Sequence, residues 1–129
     1  MDMLCFGELS WKHADRMGAG LPASIRGFAR WLYIDPPAAS ADQLEPVLES
    51  WPVCSTPQQC ILVAHMVVPR SLQPHFCFGT ASIQATYTRL LTELMQREHY
   101  ANSVIWVQRS TALAFANGLP HQLLIWDRR

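Results

Sequence analysis

Residues 60–68, CILVAHMVV, decide how the rest of the chain is read. The run is rich in β-branched side chains, is closed by Pro69, and is too short to span a bilayer, so it predicts a buried strand. Residues 75–79, HFCFG, follow after a short connection that includes Arg70, Ser71, Leu72 and Gln73, and the two runs predict a hairpin. Beyond it lies SIQATYTRLLTELMQREH, residues 82–99. Ile83, Tyr87, Leu90, Leu91, Leu94 and Met95 recur there at helical spacing, with Gln84, Thr88, Arg89, Thr92, Glu93 and Gln96 on the other side. This predicts a helix packed on a core, with Thr80 or Ser82 capping its first turn.

Residues 103–109, SVIWVQR, and 121–126, HQLLIW, are two more short apolar runs, and their pattern predicts strands buried on both faces. Between them STALAFANG, residues 110–118, has Ser110 or Thr111 as a cap and Gly118 as a terminator, which predicts a short helix. The order from residue 60 is then strand, strand, helix, strand, helix, strand. A strand, a helix and a second strand imply a crossover, so at least part of the sheet should be parallel.

The N-terminal third reads as more helical. LPASIRGFARWLYI, residues 21–34, places Ile25, Phe28, Ala29 and Leu32 on one face, with Pro22 in its first turn and Gly27 costing about 1 kcal/mol. SADQLEPVLESW, residues 40–51, opens with a Ser40-x-x-Gln43 capping box, although Pro46 removes a hydrogen bond inside it. A strand at 3–9, MLCFGEL, precedes both. The expectation is one α/β or α+β domain over 1–129: a two-layer sandwich of a four- to five-stranded mixed sheet covered by helices. Its N-terminal helical part covers about 1–52, and its strand and helix core about 58–127.

Half of the 129 residues are apolar and 16% are charged, with ten basic against ten acidic side chains. Such a chain is long enough to bury a core without staples. Its neutral balance offers no positive surface for nucleic acid or an anionic membrane. Asp2 stands where a secretory leader would carry positive charge, so a cytoplasmic bacterial protein is the expectation. Four cysteines at 5, 54, 60 and 77 form no CxxC pair and match no zinc spacing, which predicts four free thiols in a reducing compartment.

Chemistry-bearing motifs are sparse. The single lysine, Lys12, has no Walker glycines before it, and no G-x-G-x-x-G, H-E-x-x-H, G-x-S-x-G or EF-hand loop occurs. No cofactor or metal is therefore expected. Within HFCFG, His75 and Cys77 would share one face of a strand, close enough for the imidazole to lower the thiol pKa; a small cysteine-dependent hydrolase or transferase is the enzymatic alternative. A zinc or copper site from His65, His75 and Cys77 would need the hairpin register to align them. We prefer strand and turn for this segment, with Cys77 as an apolar filler. His65 reads as a hydrogen-bonded core or rim histidine, Asp35 as a turn residue accepting backbone hydrogen bonds, and Glu45 and Glu49 as a solvated face.

Five tryptophans are many for this length. Arg26, Arg30, Trp31, Tyr33 and Trp51 cluster around the proline-rich joint and match the composition of binding hot spots. They point to a small non-catalytic regulator, an inhibitor, anti-activator or immunity-type protein. It would occlude a protein partner's surface or self-associate as a homodimer, without nucleic acid or membrane.

Overall fold

The computed structural model describes residues 2–12, 30–56, 59–77 and 81–127. It is an α/β fold built on one mostly parallel sheet of seven strands: β1 (Asp2–Phe6), β2 (Arg30–Ile34), β3 (Ala38–Ser40), β4 (Val47–Thr56), β5 (Gln59–Pro69), β6 (Ser103–Val107) and β7 (Leu123–Trp126). Three α-helices are described: α1 (Gln73–Cys77), α2 (Ala81–Arg97) and α3 (Leu113–Asn117). β1 lies centrally, parallel to β2 and to β6; β5 continues outward from β2, and β7 from β6. Val67 pairs with Ala38 of β3 and also with Val47 of β4. β4 therefore takes one edge of β5, antiparallel, while β2 and β3 follow one another along its other edge.

Period-two alternation sorts the core into two faces. Leu4, Phe6, Leu32, Ile34, Ala64, Met66, Ile105 and Val107 point toward the helices and meet Tyr87, Leu91, Leu94 and Met95 of α2 and Phe115 of α3. Each of the Leu, Ile, Val, Met and Phe side chains contributes roughly 1.5–3 kcal/mol by leaving water. Tyr87 is the hub, with ring centroids 4.4 Å from Phe115, 5.9 Å from Phe76 and 6.5 Å from Phe6. Met3, Trp31 and Val104 cluster on the opposite face beside Ile61 and Trp106, and Cys5 and Tyr33 join Leu9 and Trp11 there.

The α/β class agrees with the sequence, as do the long amphipathic helix, the strands at 60–68 and 103–107, and the short helix before Gly118. The sheet is larger than the expected four to five strands because four strands lie before residue 57. Residues 30–34 are β2, not helix, while 21–29 fall outside the described residues. Residues 47–56 are β4. Ser40 does not cap a helix; its Oγ accepts from Asp42 N at 3.3 Å, and Gln43 Nε2 donates to Glu45 O at 2.6 Å, closing a turn instead. Pro52 is tolerated in β4 because, among the described residues, that strand pairs with β5 alone and has an open edge.

Residues 73–77 are helical, so the hairpin partner of β5 is β4 on its N-terminal side. Pro74 fits the first helical turn, where its missing N–H costs nothing, and Phe76 is buried against Tyr87. β7 is an edge strand with Leu123, Ile125 and Trp126 exposed, not a strand buried on both faces. Cys54 is disulfide-bonded and Cys5 is a buried thiol outside any disulfide, which corrects the expectation of four free thiols. Disulfides persist in oxidising surroundings, so cysteine usage no longer argues for a reducing compartment. Among the described residues no helix is long and apolar enough to cross a membrane.

α2 ends in paired capping bonds, His99 N to Gln96 O at 3.2 Å and Tyr100 N to Met95 O at 2.8 Å, with His99 at φ 60°. Arg30 completes this end: its guanidinium pairs with Asp2 at 3.0 Å, donates to the carbonyls of Glu98 and His99, and lies 4.2 Å from the Tyr100 ring centroid. Cations suit helix C-termini. Tyr100 donates its hydroxyl to Trp31 O at 3.0 Å, and burial pushes its phenol up from 10.0 to about 12. A raised folded value favours the protonated form, so this contribution is intact below pH 10.0 and disappears as the pH climbs toward about 12. Urea unfolding across that window should show stability falling with pH, and Tyr100→Phe should flatten the fall. An unchanged slope in the variant would assign the alkaline loss to other groups.

Candidate functional site

Gly7, directly after β1, occupies a position where a Cβ would stand 2.0 Å from the Tyr33 hydroxyl. Its lack of a side chain lets Tyr33 reach over and donate to Leu9 O at 2.7 Å. Trp11 closes edge-on against the Tyr33 ring, centroids 5.1 Å apart. The loop after β1 is thereby drawn across the end of β2, and Trp11 N donates to Asp35 Oδ1 at 2.7 Å.

Asp35 is the residue at which β2 leaves the ladder. Pro36 and Pro37 follow and supply no N–H, so pairing with β5 stops there and resumes only at Ala38. The register that sets Ile34 opposite Ala64 carries Asp35 beside His65. Their side chains meet, His65 Nδ1 lying 3.3 Å from Asp35 Oδ2. The carboxylate is buried, whereas the imidazole is 25% exposed. Glu49 faces His65 across the β4–β5 ladder, and the Trp51 ring sits 6.1 Å from the imidazole.

Burial pushes the Asp35 carboxyl above its ordinary range, opposed by the Trp11 amide, by His65 and by the more distant Arg109. The sign follows: the fold holds the Asp35 proton more tightly than the unfolded chain does. Its contribution to stability is greatest in acid and declines as pH rises through the raised value. Asp35→Asn keeps an acceptor for Trp11 and removes the buried charge, so at neutral pH it should lie within about 1 kcal/mol of the parent, or above it. Urea unfolding from acid to neutral pH checks this. A loss of several kcal/mol at neutral pH would make Asp35 a fold-holding ion-pair partner instead.

Two further groups complete this end of the sheet. Gln108, just past β6, accepts from Glu8 N through Oε1 at 3.3 Å and so ties the β1 and β6 loops together. Arg109 donates from Nη2 to the Tyr87 hydroxyl at 2.9 Å. His65, Asp35, the 7–11 loop, Gln108 and Arg109 thus line one end, where β1, β2 and β6 finish. Ligands of open α/β sheets bind at this end. The imidazole is suited to proton transfer, because an acceptor at Nδ1 fixes the ring and leaves Nε2 to act.

The sequence candidates are distributed differently. Trp51 stands beside His65. Arg30 serves the α2 terminus, and Trp31 and Tyr33 are buried at 8% and 1% exposure. Arg26 lies outside the described residues. His75 is exposed on α1, and helical positions two apart do not face each other, so the strand geometry required for a His75–Cys77 pair is absent. Among the described residues no group of three or more His, Cys, Asp or Glu is placed to hold a metal ion. Sequence reading did notice Asp35 and His65, but separately, with no signal that β2 and β5 would be neighbours. Comparison with protein-family models, with characterised proteins and with solved structures finds no match.

Proposed function

We propose that the chain binds a small-molecule ligand at the carboxyl end of its parallel strands, where His65, oriented by Asp35, moves a proton on it. The observation that carries this reading is the pairing of a buried carboxylate with a partly exposed imidazole at 3.3 Å, at the ligand end of the sheet. The cost of burying the Asp35 charge fits a group kept for a task rather than for packing.

Hydrolysis of p-nitrophenyl acetate probes the imidazole directly. Nε2 takes a proton from water as its oxygen bonds to the acetyl carbon; the bond to p-nitrophenolate then breaks, and return of the proton gives acetic acid, which ionises to solvent, and p-nitrophenol. His65→Gln should lower the protein-dependent rate about 10²-fold, in the range of general-base effects, and His75→Gln should leave it unchanged. Equal rates in the parent and His65→Gln would overturn the proposal.

A second reading, a non-catalytic regulator that occludes a protein partner or forms a homodimer, draws support from the exposed apolar side chains on two edge strands: Val47 and Trp51 on β4, and Leu123, Ile125 and Trp126 on β7. Light scattering over a concentration series tests the homodimer. A mass that stays monomeric while Ile125→Lys changes nothing would remove it.

A further inference from the structure

Arg109 lies two residues past the carboxyl end of β6, next to the loop that follows β1. The sheet grows from β1 in both directions, to β2 and β5 on one side and to β6 and β7 on the other. Ligands bind outside the strand ends at such a reversal. The guanidinium is fixed there, because its Nη2 is held by the hydroxyl of the fully buried Tyr87. Its Nε is buried and has no hydrogen-bond partner.

Among the described residues Arg30, Arg89 and Arg97 each pair with a carboxylate, whereas Arg70 and Arg109 do not, and of these two Arg70 is exposed and Arg109 half-buried. A half-buried guanidinium with no carboxylate within ion-pair distance, and only the longer-range field of Asp35 to offset it, is costly, and the cost is recovered when an anion meets it. Arg109 follows β6 as Asp35 follows β2, on either side of β1 at the same end of the sheet, and its charge favours the ionised form of Asp35. We propose that Arg109 recognises an oxyanion, a carboxylate or a phosphate group, on the ligand of the Asp35–His65 site. This rests on the ligand-site reading above and adds the class of ligand. Guanidinium pairs with either group through parallel N–H donors, which a lysine ammonium does not reproduce.

The test titrates isotope-labelled protein with inorganic phosphate and, separately, with sodium acetate at constant ionic strength, following backbone amides by NMR. Saturable shifts confined to the segments around Glu8 and around Gln108–Ser110 are expected, and the tighter of the two anions names the group. Arg109→Gln should weaken that affinity at least about tenfold, since hydrogen bonds to charged groups are worth about 1.5–3 kcal/mol. Tyr87→Phe keeps the ring in the core but releases Nη2, so it should weaken the affinity severalfold with the fold intact. Parent-like affinity in both variants, no saturable response to either anion, or shifts scattered over the surface, the mark of an adventitious ion only, would each overturn the proposal. If the anion response fails while ester hydrolysis still depends on His65, only the Arg109 assignment falls. If both fail, the ligand site itself falls.

Discussion

Tyr87→Ala is expected to abolish cooperative unfolding at room temperature. The ring is fully buried and touches the aromatic side chains of Phe6 from β1, Phe76 from α1 and Phe115 from α3, so it joins the sheet to two of its covering helices. Removing a buried aromatic side chain costs about 3–5 kcal/mol, comparable with the lower end of the roughly 5–15 kcal/mol that holds a domain folded. The loss is compounded because Arg109 Nη2 would be left without the hydroxyl that accepts its bond. Tyr87→Phe removes only that hydroxyl and should cost about 1 kcal/mol. Thermal melts followed by near-ultraviolet circular dichroism separate the two. A Tyr87→Ala protein that melts cooperatively within a few degrees of the parent would mean that α2 is not anchored through this ring.

The double replacement Trp31→Ala and Tyr33→Ala should likewise unfold the chain, although these residues have the composition of an interface. Trp31 packs with Met3 and Val104, and Tyr33 packs with Cys5 while tying down the loop at Leu9. Each truncation is in the range of about 3–5 kcal/mol. A folded variant with only its self-association altered would return both aromatics to the surface. Dispersed amide resonances, or their collapse, decide between the two outcomes.

The same two residues show why the N-terminal third was hard to read. Ile25, Phe28, Ala29 and Leu32 make a helical stripe by spacing, and the five-residue run Arg30–Ile34 does not alternate because a central parallel strand is buried on both faces. A run that short carries no period of its own. At 40–51 the capping-box signature was local and real, but its hydrogen bonds closed a turn before a proline, and the stretch after it became an edge strand. In contrast, residues 81–97 hold one apolar stripe over more than four turns, long enough for periodicity to settle the matter.

Asp35 and His65 were legible as individuals, a turn aspartate before two prolines and a polar interruption in an apolar strand. Their meeting depends on β2 choosing β5 as its neighbour, a long-range pairing thirty residues apart that local pattern does not encode. The strand expected from residue 75 went the opposite way, since Pro74 opens a helical turn over residues 73–77.

The tautomer of the His65 imidazole is the most direct test of the proposed site, and two-bond nitrogen–proton correlation spectra of the ring report it. With Asp35 ionised and accepting at 3.3 Å, the neutral ring should carry its proton on Nδ1 and leave Nε2 free to take one from a ligand. Asp35→Asn should reverse the tautomer. A parent protein with the proton on Nε2 and Nδ1 accepting from a protonated Asp35 would contradict the assignment of His65 as the proton-transfer group.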